Sequence, residues 1–366
     1  MTNHASLLSY FDDLKDPRHH RTQKHPMESI VFISIVAIVC GADTWDEIEN
    51  FGKAKQEWLS TFVPLPNGIP THDTFNRFYA ALVPGNFETC FGKWAAEISV
   101  RGKGEVVNID GKTIRGSKGV SASAAHIVSA WSGANTMTLG QLRVDEKSNE
   151  LVAIPKLLET LFLEGCIVTI DAAGCQTKIA RKIIEKRADY LLCAKANQPS
   201  LLDGIEQSFA LKPVSDSWED TDADHGRITT RTCSVIEDLG LVPKAEQWPG
   251  LRTLVRVDSN TYHKASKETT TMTRYYITSL APDAKHIGQT VRAHWSIENQ
   301  LHWQLDVSFR EDASRKRKDH AAVNFNSLLK LTLTMLKKDT TTKVGIKSKR
   351  LKAGWDNEYL LQILNL

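Results

Sequence analysis

Three acidic residues stand where a site for cutting a polyanion could be assembled. Asp110 and Asp171 each follow a short apolar stretch directly, and Glu298 lies in a helical pattern between Trp295 and Trp303. Divalent ions such as Mg²⁺ favour oxygen ligands. Two of them about 3.5 to 4 Å apart stabilise both the attacking and the leaving oxygen of a phosphoryl transfer. One carboxylate bridging the pair and two others holding one ion each would form such a site, with Mg²⁺ expected and Mn²⁺ able to substitute. Without cations the three charges repel, so some carboxyl pKa values should rise and metal binding should strengthen with pH. Each acid also has a plain structural reading. An aspartate after a strand commonly forms a turn, and Asp110-Gly111 is a common turn dipeptide. Spacings of 61 and 127 residues do not by themselves bring the three together.

The elements that must position these acids can be read from periodicity. Val106, Val107 and Ile109 form a short strand ending in Asp110, Gly111 and Lys112. Residues 125–130 and 136–144 read as two further strands of one antiparallel meander. A helix over 153–163 follows, then a buried strand at 166–170 ending in Asp171, a helix at 176–186 and a strand at 190–194. Strands first, then alternating helix and strand, predict an α/β fold with a mixed sheet flanked by helices. From about 205 to 285 the pattern breaks. Threonine-rich alternating segments at 228–235, 251–257 and 270–279 read as strands of an inserted antiparallel sheet. Residues 287–305 then read as one helix with Val291, Trp295, Glu298 and His302 along a face, Trp295 and Trp303 being core residues. A second long helix covers 321–336.

Residues 1 to about 95 read as helical. Asp43 or Thr44 can cap a helix containing Trp45 and Ile48, and Pro70 and Thr71 introduce one holding Phe75, Arg77 and Phe78. The two resemble a helix-turn-helix, which could read DNA or simply pack. The longest apolar run, 30–40, is shorter than the roughly 20 residues that cross a bilayer, so it reads as a buried helix.

Composition is that of an ordinary soluble globular protein. The chain has 366 residues, 41% hydrophobic and 24% charged, enough for a large core and two or three domains. No basic segment followed by an apolar one opens it, so a cytoplasmic location is expected and no membrane partner. Six scattered cysteines without a CxxC pair indicate neither disulfides nor zinc. Net charge is only +3, but the C-terminal part is basic. Arg310, Arg315, Lys316, Arg317 and Lys318 form one cluster, and Lys337, Lys338, Lys343, Lys347, Lys349, Arg350 and Lys352 another. Such density suits a polyanion, or a solvated face. A shorter basic stretch runs through Arg18, His19, His20, Arg21, Lys24 and His25.

Four segments carry a specific resemblance: NIDGKTIRGS (108–117), TIDAAGCQTKIA (169–180), YLLCAKANQ (190–198) and HWSIENQLHWQLDVSFRED (294–312). Together with DPRHHRTQKHP (16–26), the chain resembles the H-repeat-associated DDE transposases of bacterial insertion sequences over nearly its whole length. The resemblance implies an RNase H-like core in which Asp110, Asp171 and Glu298 are the first, second and third acid. The chain then divides into a helical N-terminal domain that could bind DNA (1–100) and a core in two parts (101–204 and 286–340). A β-rich insertion (205–285) would separate those parts, and a basic tail (341–366) would end the chain. The wider group often has an arginine four residues before the glutamate and a lysine seven after it, where this chain has His294 and Leu305.

Candidate DNA contacts surround the acids. Lys112 and Arg115 follow the first. Lys195, Asn197 and Gln198 end a strand, where Asn197 could instead cap the next helix. Arg227 stands with His225 and Gly226 at the head of the insertion, and His294, Asn299 or His302 could replace the missing terminal-phosphate contacts. Arg315, Lys316, Arg317 and Lys318 would grip the backbone. The expected partner is double-stranded DNA, both element ends and target, held by a homodimer because two ends must be joined. A plain RNase H-like nuclease without joining activity, or a catalytically silent DNA-binding remnant, are the alternatives.

Overall fold

In the computed structural model, residues 7–100, 102–119, 123–144, 150–224 and 226–365 are described. His225 lies outside them. The N-terminal part is helical: α1 (Met27–Val39), α2 (Trp45–Ala54), α3 (Gln56–Leu59), α4 (His72–Ala81) and α5 (Pro84–Ile98). Every α1 residue from Ser29 on is buried, as the uninterrupted apolar run predicts. Thr44 caps α2 in a capping box with Glu47, each satisfying a backbone amide of the other's end. His72 opens α4 by donating its backbone N–H to Glu49 of α2, so the two expected helices do pack together. Among the described residues no helix is long and apolar enough to cross a membrane.

One nine-stranded mixed sheet dominates the rest. Its strands are β1 (Val106–Thr113), β2 (His126–Ser132), β3 (Met137–Val144), β4 (Ile167–Ile170), β5 (Asp189–Ala194), β6 (Asp216–Asp224), β7 (Arg227–Ile236), β8 (Thr253–His263) and β9 (Glu268–Thr278). They lie in the order β3-β2-β1-β4-β5-β9-β8-β7-β6. The first three form the expected antiparallel meander, and β1, β4 and β5 run parallel. Between them α6 (Glu150–Thr160) and α7 (Thr177–Glu185) bury apolar stripes against one face. The fold is α/β, a mixed sheet flanked by helices.

Two features differ from the sequence expectation. The threonine-rich strands are not a separate sheet, because β9 pairs antiparallel with β5 through Leu191–Ala194 and extends the core sheet. The edge strand β6, DSWEDTDAD, escapes sequence reading because its acids have low strand propensity. It is held by β7, with Arg231 bonding Asp222 at 2.8 Å. After α8 (Pro199–Leu211), which crosses residue 204, the β-rich part leads to α9 (Ala284–His294), which lies on the sheet over β6 and β7. The chain finishes with α10 (Trp303–Ser308), α11 (Ala321–Lys338), α12 (Ile346–Trp355) and α13 (Asn357–Leu364). Of these, α11 is buried over most of its length and joins the helical part to the sheet.

Several cations of the basic clusters are structural. Lys316 is buried over the Phe325 ring, with its ammonium on the Asp43 carbonyl at 2.8 Å. Burial pushes its pKa down to about 8. Arg350 is buried on the carbonyls of Ile38 and Ala42, and Lys349 on that of Leu336. Lys330, fully buried, donates to Ser129 Oγ at 2.6 Å and Gln141 Oε1 at 2.7 Å.

Burial drives the pKa of Lys330 down to about 7, against the partial opposition of Glu311 and Glu88. An unfolded lysine titrates near ~10.4, so between roughly pH 7 and 10 the unfolded chain binds more protons at this residue. Its cost to the fold is therefore fully present below that window and fades as pH rises through it. Lys330→Met should gain stability relative to the parent mostly at pH 7 and below, less at pH 9.5, in denaturant titrations. A difference between the two proteins that does not vary with pH would contradict this.

Candidate active site

Parallel pairing of β1 with β4 sets Ile109 beside Ile170, so the next residues, Asp110 and Asp171, emerge from adjacent strands roughly 4.8 Å apart. The β4 ladder stops there, whereas β1 continues to Thr113 along β2. The sheet thus opens at the two aspartates, in the crevice outside the carboxyl ends of parallel strands. Asp110 Oδ1 accepts the Gly111 N–H at 2.9 Å. Asp171 accepts from Ala173 and Gly174 N–H at 3.0 and 3.4 Å, which fixes its carboxylate on a short turn. That turn is braced from the other side. Asn197 donates to the Ala172 carbonyl at 2.7 Å and Gln198 to that of Cys175 at 3.0 Å, while Asn197 caps no helix. Lys195 is exposed beside them.

Glu298 comes from a segment that is not the single helix expected. After α9 ends, a π-helical turn over Glu298–His302 precedes α10. A π turn carries an extra residue and is favoured only where surroundings impose it. It brings Glu298, Asp110 and His302 together, one donor atom from each lying within 4.8 Å of the others. His302 Nε2 is 3.3 Å from Asp110 Oδ2, and the ring is buried with no hydrogen-bond partner on either nitrogen. The same bend leaves Trp295 and Trp303 exposed, correcting their expected place in the core.

Glu150, at the start of α6, is a fourth carboxylate that sequence reading missed. Its Oε1 lies 2.6 Å from His126 Nε2, and both groups sit over Gly111, where a β-carbon would collide with them. Gly111 therefore lies in a strand, where the missing β-carbon leaves room for the Glu150 and His126 side-chain ends. Asp171 feels this crowding: burial, then the charges of Asp110 and Glu150, raise its pKa, against the two backbone N–H groups.

The remaining candidates divide into braces and exposed groups. Lys112 is spent on Asp306 and Glu311, at 2.5 and 2.9 Å, and is not a free cation. Burial lowers its pKa, but the two carboxylates outweigh this and the net shift is upward. His294 bonds Thr169 Oγ1 at 2.9 Å, and burial holds its pKa down although Asp110 opposes. Arg115 is exposed, 3.7 Å from Asp312, and Arg317 reaches the Gly116 carbonyl at 3.3 Å. Gly116 itself packs so closely on the Ser314 carbonyl that no side chain would fit. Arg315 and Lys318 are exposed, in contrast to Lys316.

Beyond the end of α9, the sheet face it covers turns from apolar to cationic. A groove of about 590 Å³ there is lined by Arg227, Arg231, Arg274, Arg292, threonines of β7 to β9, Trp295 and Asn299. Arg274 stacks on Trp295 at 4.7 Å, and Arg292 is paired with Asp220 and Asp222 of the acidic edge strand. Asn299, which lines this groove, is the residue next to Glu298 in the chain.

Comparison with known proteins places this geometry in context. The sequence pattern described as "Transposase DDE domain" matches residues 101–335, and that described as "DDE_Tnp_1-associated" matches residues 8–95. "Putative transposase YncI" of Escherichia coli O157:H7 is 40% identical, covering 98% of this chain and 94% of its own. "H repeat-associated putative transposase YhhI" of Escherichia coli K12 is 36% identical, covering 98% and 97%. Among solved structures, the piggyBac transposase synaptic complex with hairpin DNA aligns with 98% of this chain and 78% of its own. Its TM-score is 0.47 and its identity 10%, too slight a likeness to bear on function.

A carboxyl pKa raised by folding means that ionised Asp171 weakens the fold at pH values above the ordinary carboxylate range. In the metal-free protein at pH 7, Asp171→Asn should raise the melting temperature by ~1–3 °C. The gain should shrink as pH falls and the parent's carboxyl takes its proton. An unchanged or lower melting temperature would show that the acids are not in mutual strain.

Proposed function

The chain belongs to the DDE transposase family, and from that premise we propose that it cleaves DNA at insertion-sequence ends and transfers the freed strands into target DNA. The observation that carries this reading is the placement of Asp110 between Asp171 on the neighbouring strand and Glu298 with His302 on the π turn.

The donor set fits hard divalent cations. Carboxylate oxygens predominate, and the buried His302 imidazole, with no hydrogen bond on either nitrogen, stands 3.3 Å from Asp110. Asp110, Asp171 and Glu298 would hold two Mg²⁺ or Mn²⁺ ions, with His302 as a further donor. When bound, such ions supply Lewis-acid stabilisation of the attacking and leaving oxygens, for water in cleavage and for the 3′ hydroxyl in joining. The protein's own part is positional. The Asp171 turn holds its carboxylate ready without rearrangement, and Asp110, flanked on both sides, is the residue both halves of the site share.

A crowd of acids repels a phosphate backbone, so DNA needs cations nearby. The arginine and threonine groove beside Asn299 supports a path for one backbone stretch, with Arg227 and Arg274 as contacts. Arg115, Lys195, Arg315, Arg317 and Lys318 offer further exposed charge, and affinity should fall steeply with salt. A homodimer on paired ends completes the proposal.

Labelled element ends and target plasmid, incubated with the protein and Mg²⁺ or Mn²⁺, should give joined product. Asp110→Ala, Asp171→Ala and Glu298→Ala should each abolish cutting and joining while retaining DNA. Hydrolysis without joining would instead identify a nuclease, and retention without cleavage a silent remnant. A fully active variant would remove that acid from the site.

A further inference from the structure

We propose that Asn108 and Lys112 are positioning residues that bracket Asp110 and set where Glu298 and His302 stand against it; the inference rests on the metal-site reading above. Side chains alternate along a strand, so Asn108, Asp110 and Lys112 share one face of β1. Each neighbour of Asp110 grips a different end of the segment carrying Glu298.

Asn108 is fully buried and holds the near end. Its Nδ2 donates to the Ala293 carbonyl at 3.0 Å and to Ser296 Oγ at 2.8 Å, and its Oδ1 accepts from Thr169 Oγ1 at 2.7 Å. Lys112 holds the far end. Its ammonium lies 3.2 Å from the His302 carbonyl, 2.5 Å from Asp306 and 2.9 Å from Glu311. An ammonium has three protons, and three acceptors from one segment use them all. Glu311 is itself buried and takes a hydrogen bond from Asn326 of α11, which anchors the clamp in the protein interior.

Between the anchors lies only the π turn over Glu298–His302. A π turn has a spare residue and no strong preference of its own, so its ends decide where its side chains fall. Fixing both ends to the strand that bears Asp110 makes the separation of the three donors a property of β1. It also removes Lys112 from the residues available to DNA. A lysine bound to phosphate would need to leave two carboxylates behind, one of them buried and then unpaired, which is costly.

The test uses the full-length protein, Mn²⁺ as the probe and a labelled DNA end. Lys112→Met is made together with Glu311→Gln, so that no buried charge is orphaned, and Asn108→Ala is made separately. Each should weaken Mn²⁺ binding in calorimetry by ~10-fold or more. Each should also speed amide exchange across residues 298–306 in the metal-free protein. Lys112→Arg should restore part of both. DNA affinity and its salt dependence should stay at parental values. The proposal is overturned if Mn²⁺ affinity and exchange are parental, or if the salt slope of DNA binding drops by about one while Mn²⁺ binding holds, the mark of a lost phosphate contact. If Lys112→Met with Glu311→Gln does not fold, Asn108→Ala alone decides. If Asp110→Ala binds Mn²⁺ like the parent, the metal reading fails, and the exchange at 298–306 still judges the bracket.

Discussion

Like charges brought side by side repel, and the pairing of β1 with β4 leaves Asp110 and Asp171 no way apart. Both follow residues locked in one parallel ladder, and both stand where that ladder ends. The remaining parts of the site answer this constraint. The Asp171 carboxylate is pinned by its own turn, and that turn is braced by Asn197 and Gln198. Glu150 and Glu298 approach from α6 and from the π turn, each accompanied by a histidine, His126 and His302. Under the proposed function, cations complete this crowd of negative charge, and the repulsion they relieve contributes to their binding.

The pattern of the first two acids was open to sequence reading because it depends on local order: an apolar strand followed by an acid, with a helix before the next strand in the case of Asp171. The meander of β1 to β3, the capped start of α2 and the buried α1 follow from similarly local rules. What eluded the sequence depends on distant contacts. Glu150 looks like any acid favoured in a first helical turn, and only the fold lays it over Gly111. His302 and Trp295 share a helical stripe in the sequence, but the π turn buries one and exposes the other. The continuity of β9 with β5 joins residues about eighty positions apart, which no periodicity encodes.

The basic residues teach a related lesson. By count, the last sixty residues look like one cationic surface. In the fold, Lys316, Lys330, Lys349 and Arg350 turn inward to carbonyls, amides and aromatic rings, while Arg315, Lys318 and Lys347 stay exposed. Charge density in a sequence therefore overstates the charge a polyanion would meet. The arginines of the β-rich part are the opposite case: Arg227 and Arg231, an even four residues apart on β7 and so on one face, gather with Arg274 of β9 in the groove beyond α9.

The central claim is that Asp110 stands between two cation positions built from residues far apart in the chain. Anomalous diffraction from a crystal soaked in Mn²⁺ tests it most directly. The account predicts peaks flanking Asp110, one shared with Asp171 and one with Glu298 and His302. Manganese bound elsewhere on the protein with none at Asp110, or Glu298 turned away from a metal held by the two aspartates, would contradict it.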